Sequence, residues 1–189
     1  MPTTRELAFS LFGAYRLALS DARGMAYLDT SGLGAWRSFF VAALLLPANV
    51  PLILFRLADH LNDIPFYRLV LIELVFYIIS WTAYAVAMEP LTRMLGRSSR
   101  YPGFLCAYNW SSVLQMSVYL PAFLLAESGL LPGSLGDVIV VIVTLLTLQY
   151  QWFVTRVSLD VSRSSAVGLV VLDLIFSVFV TNAADALLL

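Results

Sequence analysis

The chain has 189 residues, of which 60% are apolar and 12% are charged, and its mean hydropathy is +0.86. Soluble domains carry about 25% charged residues, so this composition excludes an ordinary soluble globule and predicts an all-α, polytopic membrane protein. The net charge of −1 argues against nucleic acid as a partner, because the chain lacks the basic field that binds phosphate groups.

The first predicted element is a helix over residues 4–20, followed by an irregular stretch that ends at residue 37. Its apolar stripe consists of Leu7, Leu11, Tyr15 and Ala18, flanked by Phe12 and Leu19, and its less apolar face of Arg5, Glu6, Ser10 and Gly13. This pattern fits an amphipathic helix in the plane of the membrane interface, and a helix packed on the bundle's own loops is the alternative. Arg16 interrupts the first apolar run, so we expect no cleaved secretory signal.

Five apolar segments follow, each with about 18–25 residues, which suffices to cross about 30 Å of hydrocarbon. They lie at 38–55, 66–88, 102–126, 137–155 and 165–188. Pro47 and Pro51 fall inside the first segment and should kink it or unwind a turn. We therefore predict a cytoplasmic segment over 1–37 and a five-helix transmembrane domain over 38–189.

The distribution of arginine predicts the orientation of the spans. All eleven basic residues are arginine, and nine of them lie before the first span, between the second and third, or between the fourth and fifth. Only Arg56 and Arg68 lie on the other side. Because arginine concentrates in cytoplasmic loops, we expect the N-terminus inside and the C-terminus outside, in the inner membrane of a bacterium.

Four of the five predicted spans carry a polar stripe at helical spacing, and such faces turn away from lipid. A rise of about 1.5 Å per residue places Asn109, Gln149 and Asp173 in one layer of the inner half. Glu73 and Gln115 fall in a second, outer layer. We expect these five residues to form an intramembrane polar network, with the third span near the centre of the bundle.

Two carboxyl groups in the spans need a partner or a proton, because an ionised carboxylate in hydrocarbon costs at least about 2.5 kcal/mol. Glu73 can pair with Arg56 or Arg68, since the long arginine stem reaches inward. Asp173 has no arginine at its own depth. Three interpretations stay open for it: a protonated or amide-bonded structural acid, a site on an ion or solute path, or a contact with another subunit.

Sequence motifs for covalent chemistry are missing from the chain. It has no GxSxG, P-loop or HExxH sequence and no Cys/His ligand cluster. The single cysteine, Cys106, fits a small packing residue, and the single histidine, His60, fits a solvated loop residue. We expect no enzymatic activity, no cofactor and no bound metal.

The segment "LFGAYRLALSDARGMAYLDTSGLGAWRSF" leads directly into the first predicted span. It resembles the entry segment of alphaproteobacterial five-span proteins. Five spans, a cytosolic N-terminal region, short loops and an outward C-terminus together resemble the Yip-type family of Rab-GTPase-interacting membrane proteins and their bacterial relatives. The resemblance covers the architecture of residues 38–189. It implies a non-catalytic membrane scaffold or accessory protein that acts through lipid, other membrane proteins or a second copy of the chain. The alternative is a small transporter or channel that uses the five polar residues as a path, which the interrupted first span favours.

Overall fold

The computed structural model describes residues 2–189, and over that range the chain is helical with short connections. The α-helices are α1 Thr4–Ala18, α2 Gly32–Ser38, α3 Phe40–Arg56, α4 Phe66–Met94, α5 Tyr101–Glu127, α6 Gly133–Leu159 and α7 Arg163–Leu188. A 3₁₀ turn, Ala22–Tyr27, lies between α1 and α2. This arrangement confirms the predicted all-α class.

Four helical segments are long and apolar enough to cross a membrane. They are Gly32–Arg56, which joins α2 to α3, and then Phe66–Met94, Ser134–Leu159 and Arg163–Leu188. Helix α5 is not one of the four although it has 27 residues, because its amide and hydroxyl side chains make it less apolar. Polarity and not length therefore separates α5 from its neighbours.

Helix α3 continues through both of its prolines, so neither Pro47 nor Pro51 unwinds a turn. The side-chain amide of Asn49 donates to the carbonyl of Leu45 at 2.9 Å and adds a hydrogen bond in this stretch. Proline removes a backbone donor, and membrane helices tolerate it where side chains and neighbouring helices satisfy the polar groups that it frees. Of the two predicted effects, the unwound turn is therefore absent, and the kink stays a prediction.

Helices α3 to α7 form a bundle whose two halves differ in packing. We call the half at which α5 begins and α6 ends the base, and the opposite half the distal half. All buried residues of α5 lie within residues 103–111, in the base, and Phe104 is fully buried among them. Asp160, just after α6, lies 3.5 Å from Arg97 and 3.4 Å from Arg100. These ion pairs fasten the end of α6 to the start of α5.

Helix α1 packs on the base through small side chains. Its buried residues are Ser10, Gly13, Ala14 and Leu17. The face that packs on the base includes Ser10 and Gly13 of the less apolar side, whereas Tyr15 of the predicted apolar stripe is exposed. Close approach explains the difference, since a Cβ added at Gly13 would lie 2.8 Å from the carbonyl oxygen of Gly24. Small residues on this face admit the neighbouring backbone, which a larger apolar side chain would exclude.

The stretch over residues 21–37, which the sequence suggested to be irregular, holds the 3₁₀ turn and α2. The hydroxyl of Ser31 caps α2 by accepting a hydrogen bond from the backbone nitrogen of Gly34 at 3.0 Å. Leu17 and Leu28 belong to the same hydrophobic cluster as Trp110 of α5. The predicted N-terminal segment and the predicted transmembrane domain therefore share one core.

Candidate functional site: a polar cavity between α4, α5, α6 and α7

A cavity of about 470 Å³ lies between the last four helices of the bundle. The polar side chains that line it are Ser80, Tyr84, Tyr108, Ser112, Gln115, Tyr119, Thr144, Thr147, Gln151, Asp173 and Ser177. They come from the polar stripes of the four helices, which repeat every three or four residues and therefore keep one face of each helix toward the cavity. Hydroxyl and amide groups thus surround one carboxylate.

Asp173 of α7 is held by a tyrosine of α5. The hydroxyl of Tyr108 donates toward both carboxylate oxygens of Asp173, at 3.0 and 3.1 Å. Asn109, the next residue along α5, was expected beside Asp173 from its depth but does not bond it. It is 1% exposed in the base, and its amide donates to the hydroxyl of Ser38 at 2.8 Å. Successive residues of a helix point about 100° apart, so Tyr108 and Asn109 face different neighbours.

Gln115 of α5 pairs with α6 and not with Glu73. Its amide donates to the side-chain oxygen of Gln151 at 2.8 Å. Gln149, which depth alone had selected, is exposed on the outside of the bundle. One stripe of α6 consists of Thr144, Thr147 and Gln151. Helical spacing, rather than depth, is therefore the sequence signal that identifies Gln151.

Gln151 has a donor that no neighbour uses. The residue is 5% exposed and lines the cavity, and its Nε2 has no hydrogen-bond partner within residues 2–189. An unpaired buried donor costs about 1–3 kcal/mol, so such groups are uncommon in a structural core. This nitrogen is therefore available to a ligand or a water molecule in the cavity.

Aromatic rings form much of the remaining wall. The ring centroids of Tyr84 and Tyr108 are 5.2 Å apart, and those of Tyr84 and Phe176 are 6.4 Å apart. Trp81 also lines the cavity. Tyr84 donates its hydroxyl to the carbonyl of Leu169 at 3.1 Å, which fixes its ring against α7.

Two smaller cavities adjoin the first one on the distal side. One of about 270 Å³ is lined by Asn49, Tyr77 and Gln115, and another of about 250 Å³ is lined by Arg56 and Glu73. Ser80 lines all three cavities. Polar space therefore extends from Asp173 toward the distal end of the bundle.

A charged cluster lies at the distal end of this series. Arg56 donates to Glu73, which is one of the two pairings that the sequence left open. Its other terminal nitrogen lies 3.3 Å from Oδ1 of Asp185, outside hydrogen-bonding geometry. Arg68 instead donates to the carbonyl of Leu187 at 2.6 Å. One guanidinium thus serves two carboxylates from α4 and α7.

The five predicted network residues consequently occupy separate places. Gln115 and Asp173 line the main cavity, Glu73 lines the distal one, Asn109 is buried in the base, and Gln149 is exposed. Tyr108 and Gln151 complete the main cavity and were not among the five.

Comparisons with protein families, with curated proteins and with solved structures find no match for this chain. The chemical character of the cavity must therefore be derived from its own side chains.

Proposed function

We propose that this protein binds a small polar solute in the cavity between α4 and α7 and moves it across the membrane, without covalent chemistry. The observation that carries this proposal is the polar cavity beside Asp173, whose wall holds the unpaired donor of Gln151. Its volume of about 470 Å³ falls within the range of about 300–1,000 Å³ that is usual for small-molecule sites.

The free-energy cost of unpaired polar side chains in the cavity wall supports this proposal over a purely structural role. Lipid offers no hydrogen bonds to polar groups inside a membrane, so each polar group without a protein or solute partner costs free energy. In the base, by contrast, Asn109 bonds Ser38 directly. A chain that needed only rigid packing would gain by pairing Gln151 in the same way or by replacing it with an apolar residue.

The proposal includes five spans, with α5 as the fifth. At about 1.5 Å per residue, its 27 residues extend about 40 Å, which exceeds the hydrocarbon thickness. Helix α5 contacts α3 and α6, and its amides Asn109 and Gln115 bond protein groups, while the exposed Ser117 donates to the carbonyl of Leu114 in its own helix. Five spans and the arginine distribution together support a proposed topology with the N-terminus in the cytoplasm and the C-terminus outside, in a bacterial inner membrane. A reporter fused after Leu189 should be active outside the cytoplasm, and activity only inside would refute this topology.

Cysteine labelling tests whether the cavity holds water. In a Cys106→Ala background, Thr147→Cys places a thiol in the cavity wall, and Leu146→Cys places one on the exposed side of the same helix. We expect a small charged thiol reagent to label Thr147→Cys in membranes. It should not label Leu146→Cys, because lipid covers that face. Ser111→Cys, in the fully buried base, provides a second unlabelled control.

Each labelling result bears on the proposal. Labelling at Thr147→Cys alone supports a solvated path. Protection of Thr147→Cys to the same degree as Ser111→Cys would contradict it and would favour the scaffold function, in which all polar stripes serve packing.

A membrane scaffold of the Yip type is the second candidate, and the N-terminal segment favours it. Helix α1 exposes Phe9, Phe12 and Tyr15 beside the basic side chains of Arg5 and Arg16. Aromatic and basic side chains together suit the headgroup region of an anionic membrane, where α1 would lie in the interface plane while its small residues hold it to the base. The partners would be lipid, other membrane proteins or a second copy of the chain.

An environment-sensitive fluorophore on Tyr15→Cys tests the interfacial position of α1. In the reconstituted protein we expect a blue-shifted emission, stronger in vesicles that contain anionic lipid. An emission equal to that of a fluorophore on the loop variant Asp63→Cys would show that α1 lies in water. That result would remove the support for the scaffold candidate.

A further inference from the structure

We infer that the cavity beside Asp173 binds a small organic cation that also carries a hydrogen-bond acceptor. This inference rests on the proposed function, since it names the class of solute that the same cavity takes. Three features of the wall carry it: the charge of the site, its aromatic rings and its free amide donor.

The charge of the site favours a cation. Among the described residues that line the main cavity, Asp173 is the one acidic side chain, and none is basic. Its nearest partner is the neutral hydroxyl of Tyr108, which donates a hydrogen bond but brings no compensating charge. A bound monocation would neutralise the carboxylate in a region where charge–charge attraction is only weakly screened.

The aromatic rings favour an organic cation over a metal ion. Tyr84, Tyr108 and Phe176 surround the space beside Asp173, with Trp81 in the same wall. Aromatic faces attract weakly hydrated ammonium groups within about 6 Å of the ring centroid, which is how choline-like ligands are recognised. Calcium and magnesium are instead bound by several oxygen ligands that usually include more than one carboxylate, and Asp173 is the single carboxylate among the described residues of this wall.

The free donor of Gln151 specifies the other end of the ligand. Its Oε1 accepts from Gln115, whereas its Nε2 is unpaired and 5% exposure leaves it little access to bulk solvent. A hydroxyl or carbonyl oxygen on the ligand would satisfy this nitrogen. The site thus combines a carboxylate for an ammonium group with an amide for an oxygen, on two different helices.

Charge-selective labelling tests the first part of this inference. The probes are cationic trimethylammonioethyl methanethiosulfonate and anionic sulfonatoethyl methanethiosulfonate, applied to the full chain with Cys106→Ala and Thr147→Cys. We expect the cationic reagent to react about tenfold faster than the anionic one, relative to their ratio at the exposed loop variant Asp63→Cys. Asp173→Asn should abolish this preference, and Asp137→Asn, outside the main cavity, should keep it.

Ligand competition tests the second part. Choline should slow labelling of Thr147→Cys, and its uncharged carbon isostere should do so about tenfold less effectively. Gln151→Met should weaken protection by choline but not by tetramethylammonium, which has no acceptor. Gln149→Met, on the exposed face of the same helix, should weaken neither. Thermal unfolding of each variant in detergent confirms that it folds before its labelling is compared.

The outcomes separate this inference from the proposed function. If neither reagent labels Thr147→Cys, the solvated cavity itself fails, and the inference fails with it. If both reagents label it at equal relative rates, or if choline and its isostere protect equally, the cavity stands and the cation preference is overturned. If Gln151→Met changes choline and tetramethylammonium alike, the assignment of an acceptor to the ligand is overturned.

Discussion

The tightly packed base of the bundle and the walls of its cavities are built from the same helices but differ in how their polar groups are paired. In the base, Asn109 bonds Ser38 and the hydroxyl of Ser111 bonds the carbonyl of Tyr108, whereas the buried hydroxyl of Thr155 has no partner in the described chain. Along the cavities, which begin beside Tyr108 and extend toward the distal end, polar side chains face the open space, and Nε2 of Gln151 has no partner in the described chain. Polarity inside a span is therefore not by itself a sign of function. What matters is whether the polar groups already satisfy one another.

The largest expected difference between the halves concerns a phenylalanine in each. Phe104→Ala in the base removes a fully buried ring, and we expect a loss of about 3 kcal/mol in the free energy of unfolding. Phe179→Ala removes a ring that is 71% exposed in α7, and its effect should stay within about 0.5 kcal/mol. Unfolding in mixed detergent micelles measures both. Equal losses would show that the base is not the better packed half.

Glycine substitutions test the close approach of the N-terminal segment to the base. A Cβ at Gly24 would lie 2.5 Å from the carbonyl oxygen of Gly13, so Gly24→Ala should cost about 2 kcal/mol through displacement of α1. Gly168→Ala in α7 is the matched control, because a Cβ there meets nothing within 4 Å. It should leave stability unchanged or raise it by up to about 1 kcal/mol. A neutral Gly24→Ala would mean that α1 is only loosely docked.

Removing the guanidinium of Arg56 from the distal cluster should reduce the free energy of unfolding by a smaller amount. Arg56→Gln leaves Glu73 and Asp185 without their shared partner, and we expect a loss of about 1 kcal/mol, because all three side chains are partly exposed. Arg68→Gln, which removes only a hydrogen bond to a backbone carbonyl, should cost less. Thermal unfolding in detergent compares the two variants. A larger loss for Arg68→Gln would contradict the assignment of Arg56 as the centre of the cluster.

The smallest expected effect on stability concerns Asp21, at the surface of the N-terminal segment. Hydrogen bonds from Arg23 and Arg16 hold the pKa of Asp21 well below its ordinary value. Since the folded pKa is lowered, this stabilisation is present above the ordinary carboxyl range near pH 4 and is lost as the pH falls through the lowered folded value. Thermal unfolding of the wild type and Asp21→Asn should therefore differ slightly at pH 7, and the difference should shrink progressively as the pH falls below about 4. A difference that persists unchanged in acid would exclude the ion pairs as its cause.

The sequence predicted those features that depend on one helix at a time. Each predicted span overlaps a helix, and the stripes through Ser112 and Thr147 do face one cavity. The pairing of Arg56 with Glu73 followed from the scarcity of arginine on that side. Each of these inferences needs only the helical period and the length of a side chain.

The failures concern features that depend on how helices face one another. Depth along the membrane selected Gln149 and Asn109, but the direction around the helix decides contact, and it selects Gln151 and Tyr108 instead. The packing face of α1 was missed for a related reason. There the approach of a second backbone requires Gly13, and hydrophobicity carries no information about that approach.

One hydrogen bond connects α1 to the helix that carries Gln151. The hydroxyl of Tyr150 on α6 donates to the carbonyl of Ala14 on α1 at 2.8 Å, and Gln151 is the next residue along α6. Any rotation of α6 that turns Gln151 away from the cavity pulls this bond and must shift α1 or break it. Tyr15, whose ring is exposed, is the neighbour of Ala14 on α1, so a contact made at this surface lies one residue from the bond that holds α6.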